Sequence, residues 1–138
     1  MYEKFLATLA DIEQIRKPWG HEIIWARSSS DSGYIGKVLF IKAGHRLSLQ
    51  FHEVKEETIF VSSGVLYLET FGTVDQNNID GVIEGDRRIF RLESGSIFHI
   101  PRLMSHRFIA KEDDVSLIEV STKELDDVVR IKDDYGRE

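Results

Sequence analysis

Along most of this chain apolar and polar residues alternate, and short glycine-bearing breaks interrupt the alternation. Side chains of an extended strand point to opposite faces in turn, so this period of two predicts strands half buried against a core. Runs of this kind cover 22–27, 34–42, 46–52, 58–62 and 65–71, then 88–92, 96–100, 106–111 and 116–121. Breaks fall at 28–33, Ala43-Gly44, Ser63-Gly64, Gly81, Gly85 and Ser94-Gly95. The polar stretch from Gly72 to Asp86 predicts a long hairpin connection. One segment follows another period: Phe5, Leu9 and Ile12 fall at i, i+4 and i+7, which predicts a short amphipathic helix over 2–14, ended by Pro18. Many short strands with glycine turns and one flanking helix predict an all-β sandwich or barrel. The expected layout is a single domain over 1–138: an N-terminal helical segment (1–15), the β-barrel (16–125) and a charged C-terminal segment (126–138), in which Asp126-Asp127 can begin a helical turn. Phe40, Phe60, Phe90, Phe98 and Phe108 lie in β-like runs and read as core.

The chemistry concentrates in one run. In an extended strand Ser48, Gln50 and His52 share a face, so an amide oxygen and an imidazole nitrogen stand side by side. Arg46 has the same parity and is expected to look into the barrel. Glu57 adds a carboxylate after a short turn, and His106 follows a Gly95…Pro101 turn pattern. Gln50, His52, Glu57 and His106 together form a two-nitrogen, two-oxygen site for one divalent metal ion, zinc foremost, with manganese, nickel, cobalt or iron as alternatives.

Charge and composition narrow the rest. A net charge of −6, with basic residues scattered among acids, gives nucleic-acid binding no support. The absence of cysteine removes thiol catalysis, disulfides and thiolate metal sites and suits a reducing compartment. Neither a signal-like N-terminus nor a membrane-length apolar run is present, so the expectation is a cytoplasmic protein with no membrane partner.

Spacing carries the reading further. Gln50 lies six residues after Gly44, Gly64 seven after Glu57, Pro101 six after Gly95, and His106 five after Pro101. These intervals resemble the two cupin motifs, with Gln50 in place of the first histidine of His-x-His and Leu103 in place of the second motif's inner glycine. A Gln, His, Glu, His set resembles the phosphomannose isomerases rather than the iron oxygenase cupins. Three segments look like type II mannose-6-phosphate isomerase: Arg16-Lys17-Pro18-Trp19-Gly20, Arg46-Leu47-Ser48-Leu49-Gln50-x-His52, and Asp126-Asp127-x-Val129-Arg130-x-x-Asp133-x-Tyr135-Gly136-Arg137. That family often forms the C-terminal half of bifunctional enzymes with a mannose-1-phosphate guanylyltransferase, for which this chain has neither the length nor a glycine-rich nucleotide loop. Where the family commonly runs His-His-His-Arg-Ala-Glu-His, residues 52–58 read His-Glu-Val-Lys-Glu-Glu-Thr.

The resemblance implies a cupin jelly-roll barrel and a metal-dependent aldose–ketose isomerase that interconverts mannose 6-phosphate and fructose 6-phosphate. It puts Lys55 at a basic position two before the metal glutamate and Arg130 in a Val-Val-Arg tail element, both as catalytic residues. Lys55 is a general base if desolvation and the metal depress its pKa; Glu22, His99 and a metal-bound water are the alternatives. Arg46, Arg130 and Arg137 suit the phosphate, because a guanidinium fork binds oxyanions bidentately. Ser48 and Trp19 border the sugar. Cupins often pair as dimers, which makes a homodimer the expected assembly. Two other readings stay open: a metal cupin acting on another sugar or nucleotide-sugar, and a non-catalytic sugar-binding or regulatory cupin.

Overall fold

In a computed structural model, which describes residues 2–75, 77 and 86–137, eleven strands build two antiparallel sheets. They are β1 (Ile15–Lys17), β2 (Gly20–Arg27), β3 (Tyr34–Ile41), β4 (Leu49–Phe51), β5 (Glu57–Ser63), β6 (Leu66–Thr73), β7 (Arg88–Leu92), β8 (Ile97–Ile100), β9 (Met104–Ala110), β10 (Val115–Thr122) and β11 (Val129–Lys132). One sheet has the order β1-β2-β3-β10-β5-β8 and the other β11-β4-β9-β6-β7. This is a jelly roll, in which two curled sheets enclose one interior.

The interior is apolar at one end and polar at the other, and the register shows why. On β3, Leu39 and Ile41 point inward next to Lys37; on β10, Val115 and Leu117 are followed by Glu119; on β5, Glu57 precedes Ile59 and Val61. Antiparallel pairing sets Lys37 opposite Glu119 and Glu57 opposite Ser121, so the polar ends meet at one level. The second sheet does the same: His106 precedes Phe108 and Ala110 on β9, and pairs with Thr70 of β6 and Gln50 of β4. The apolar halves pack as a core of Ile41, Ile59, Val61, Leu66, Leu68, Phe108 and Leu117, all buried. Burial of side chains this size contributes roughly 1.5–3 kcal/mol each. The polar halves line a cavity.

Two turns hold the frame. Gly64, between β5 and β6, has φ +79°, and a Cβ there would lie 2.2 Å from the Asp114 carbonyl oxygen, so no other residue fits. Leu103, at the place where the cupin motif has glycine, has φ +68°, the only non-glycine residue with positive φ among those described. Its amide donates to the His52 carbonyl at 2.7 Å and its carbonyl accepts from Val74 at 2.7 Å. Its side chain packs on the cluster of Phe51 and Val74.

Three expectations are corrected. No α-helix forms among the described residues. In place of the helix over 2–14 stand two 3-10 turns, Tyr2–Phe5 and Leu9–Asp11, with Tyr2 82% and Phe5 75% exposed. An amphipathic stretch this short is marginal without a surface to bury its apolar stripe, and here it meets none. Thr8 and Asp11 also restart the turn, with the Thr8 amide donating to Asp11 Oδ2 at 2.7 Å. Second, Phe60 is 41% exposed, since Ile59 and Val61 take the inward positions of β5. Phe108 is buried, whereas Phe40, Phe90 and Phe98 are only partly so. Third, no helix starts at Asp126-Asp127: Leu125 and Asp126 form a turn that leads into β11. β6 and β7 pair as successive antiparallel strands, and most of the expected connection, residues 76 and 78–85, lies outside the described residues.

Candidate metal centre and its cavity

His52, Glu57 and His106 come from the end of β4, the start of β5 and β9, and each offers a ligand atom within 4.8 Å of the others. Glu57 Oε1 lies 3.1 Å from His106 Nε2 and 3.6 Å from His52 Nε2. Nδ1 of His106 bonds the Met104 carbonyl at 2.9 Å, and Nδ1 of His52 bonds the carbonyl of Asp127. A carbonyl only accepts, so each Nδ1 carries the proton and each Nε2 presents a lone pair. Both Nε2 atoms and Glu57 Oε2 are buried without a hydrogen-bond partner. Ligands about 2.1 Å from a tetrahedral ion stand roughly 3.4 Å apart, close to the two spacings here. Three acceptors facing one another fit a divalent cation.

Gln50 lines the same cavity and accepts a 2.7 Å bond from Ser48 Oγ at its amide oxygen, which keeps a second lone pair free. Asp127, which sequence reasoning passed over, fixes the loop after His52. Its carboxylate accepts from the backbone amides of Glu53, Val54 and Lys55 at 3.2, 2.8 and 2.9 Å. Within the loop that follows His52, Glu53, Val54 and Glu56 are exposed, and Lys55 turns into the cavity.

Lys55 is not the neutral amine expected of a base. Burial works against its charge, but Glu119 and Glu57, 3.4 and 3.5 Å away, raise its pKa above the usual lysine value. Burial and the neighbouring Glu57 charge push Glu119 well above the ordinary carboxylate range. Burial opposes the charge on Glu57 too, yet the polar neighbours Glu119, His106 and His52 together with the Lys55 ammonium hold its pKa well below that range. Farther along, Lys37 reaches Glu22 at 3.4 Å and Lys17 reaches it at 3.7 Å. Charges thus alternate across the floor of the first sheet. The signal for Glu119 and Lys37 in the sequence is a charged residue at an inward position of an apolar strand.

The cavity measures about 320 Å³ and is lined by Lys17, Trp19, Glu22, Lys37, Ser48, Gln50, His52, Lys55, Glu57, Glu119, Arg130 and Arg137 among others. Nε of Arg130 is buried and unpartnered. Arg137 is clamped by Asp133 through two 3.0 Å bonds. Arg46 is elsewhere. The backbone leaves strand geometry at Leu47 and Ser48, which shifts the parity, and Arg46 points to the outer side of the second sheet, paired with Asp134 at 2.6 Å. His99 also lies outside, on the exposed face of β8, bonded to Thr58 Oγ1 at 3.0 Å.

The sequence matches no protein-family model and no curated protein. The fold is shared with solved structures of low identity. CapF from Staphylococcus aureus, a capsular polysaccharide assembling protein, aligns at TM-score 0.70 with 14% identity over 88% of this chain and 34% of that one. An oxalate decarboxylase variant of B. subtilis gives 0.70 with 15% identity over 90% and 31%. KdgF from Halomonas sp. gives 0.64 with 20% identity over 86% and 94%. The chain spans about a third of the length of CapF and of the decarboxylase. No helix among the described residues is long and apolar enough to cross a membrane. Two antiparallel sheets in this order, closed round a buried His–Glu–His cluster, give the chain the cupin jelly-roll fold.

Proposed function

We propose that the cavity is the active site of a metal-dependent isomerase that interconverts mannose 6-phosphate and fructose 6-phosphate. One observation carries this reading. The three segments that look like type II mannose-6-phosphate isomerase lie far apart in sequence, yet all line this cavity: Lys17 and Trp19 from the first, Ser48, Gln50 and His52 from the second, Arg130 and Arg137 from the third. A volume of about 320 Å³ is at the small end for ligand pockets and suits one phosphorylated hexose better than a nucleotide-sugar.

Gln50, His52, Glu57 and His106 would hold the ion, with zinc our first choice. When bound, it would stabilise negative charge developing on the sugar oxygens. Arg130 offers the phosphate a buried donor that no protein group uses, while Arg137, already held by Asp133, shapes the wall. Trp19 and Ser48 border the sugar. In the reaction one proton leaves C2 and is delivered to C1, and the O2 proton passes to O1. Glu119 in its deprotonated form would take the proton from C2 and return it to C1, and the Lys55 ammonium, 3.4 Å away, would steady the charge.

The test is a coupled assay on zinc-loaded protein, with mannose 6-phosphate beside other hexose and pentose phosphates. Turnover of mannose 6-phosphate is expected, with loss of at least about a hundredfold in Lys55→Ala and none above background in His52→Ala. Zinc should raise the melting temperature of the wild type but not of His52→Ala. Absence of turnover on every sugar phosphate, with zinc bound, sinks the isomerase and leaves a sugar-binding cupin.

A further inference from the structure

A second cavity, of about 290 Å³, lies on the opposite side of the second sheet from the metal centre. Arg46, Arg87, Arg107 and Lys132 line it, with Glu69 the one carboxylate among the described lining residues and Asp134 alongside Arg46. The sequence alternation would not have brought these cations together. The parity break at Leu47–Ser48 turns Arg46 outward while Ser48 and Gln50 stay inside. On β11 the register slips between Arg130 and Lys132, so that Arg130 pairs with Gln50 and Lys132 with Leu49. Two residues apart on one strand, they therefore serve opposite cavities, as a bulge permits.

Charge in this cavity is out of balance. Among the described residues four cations face two carboxylates, in a molecule whose net charge is −6. Arg87 binds Glu69 at 2.8 Å and Arg46 binds Asp134 at 2.6 Å, so both acids are taken. Arg107 is only 3% exposed, and its hydrogen bonds go to the carbonyls of Leu47 (2.8 Å) and Lys132 (3.2 Å), which bring no charge. Its nearest carboxylate, Asp134, is 3.9 Å away and already committed to Arg46. Burial and the Arg46 charge lower its pKa. A buried guanidinium whose ion pair is long and shared is costly, and planar forks converging on a small cavity match the oxygens of a phosphoryl group.

We propose that this outer cavity binds a phosphate-class dianion, either the free ion or the phosphoryl head of a small phosphomonoester, independently of the metal site. The test is calorimetric titration with inorganic phosphate and, in parallel, glycerol phosphate, against chloride at matched ionic strength. Saturable binding is expected in the wild type and equally in His52→Ala, and tighter binding of one probe identifies the preferred source. Arg87→Ala/Lys132→Ala should weaken it at least about tenfold, and so should the single charge reversal Lys132→Glu, which changes one exposed residue. Arg130→Ala, on the inner side, should leave it intact. The proposal fails if the wild type shows no saturable binding at millimolar phosphate. It also fails if Arg130→Ala abolishes binding while the outer variants retain it, for then the anion sits in the metal cavity.

Discussion

Each candidate histidine ligand has its tautomer set by a backbone carbonyl, so the metal centre is prepared by main chain rather than by further side chains. Leu103 shows the same dependence on backbone. It sustains a left-handed conformation that costs a non-glycine residue about 1–2 kcal/mol, because its amide and carbonyl both bond the frame around His52. Leu103→Gly should relieve that strain while giving up contacts with Phe51 and Val74, leaving stability within about 1 kcal/mol of wild type. Leu49→Ala, at a fully buried neighbour in β4, should cost about 2–5 kcal/mol. Urea denaturation of the two variants makes the comparison. A loss for Leu103→Gly as large as that for Leu49→Ala would mean the leucine is held by packing alone. At this scale Gln50, His52, Glu57 and His106 were legible because ligands need particular atom types at particular intervals. Asp127 was not, since it acts through amides that no sequence pattern displays.

Strands were easier to read than their ends. The alternation located nine of the eleven; β1 and β11 lie outside its runs and owe their pairing to β2 and β4. The N-terminal helix failed for the converse reason: its period was clear, but no surface covers it. The parity of Arg46 failed because one irregular step, at Leu47–Ser48, reverses every assignment before it. The C-terminal element is tied down by acids. Asp133 accepts from Arg137 through both side chain and backbone, and Asp134 from Arg46, and these arginines hold both carboxyls below the usual aspartate range against the opposing effect of burial. Groups with depressed pKa stabilise fully above the ordinary aspartate value of about 3.9. That contribution is lost as pH falls through the lower folded value. The stability gap between wild type and Asp133→Asn should therefore be constant from neutral pH to about pH 5 and close in more acid solution. Urea melts along a pH series measure it, and a gap that persists at the acid end would remove the ion pair as its cause.

At the level of the whole molecule, two groups of exposed apolar residues are candidates for an interface. The N-terminal turns expose Tyr2, Phe5, Leu6 and Leu9, and the outer face of the first sheet exposes Phe60, Ile97 and Val120, with Phe60 and Ile97 paired across strands. A homodimer is the assembly we propose. Light scattering should give twice the 15.9 kDa chain mass, and a monomer mass at the concentrations used for assay overturns it. Nothing in the alternation distinguishes an outward apolar residue that meets a partner from one that meets water, so the expectation of a dimer rests on the resemblance to cupins.

β9 separates two polar compartments with a single thickness of backbone. His106 faces one and Arg107, its neighbour in sequence, faces the other. Substitutions in this strand alter one compartment at a time. An inserted or deleted residue upstream of His106 would exchange them, carrying a guanidinium into the metal centre and an imidazole into the cationic cavity. Descendants of this sequence can thus vary β9 by replacement, but its length between Met104 and Phe108 is fixed.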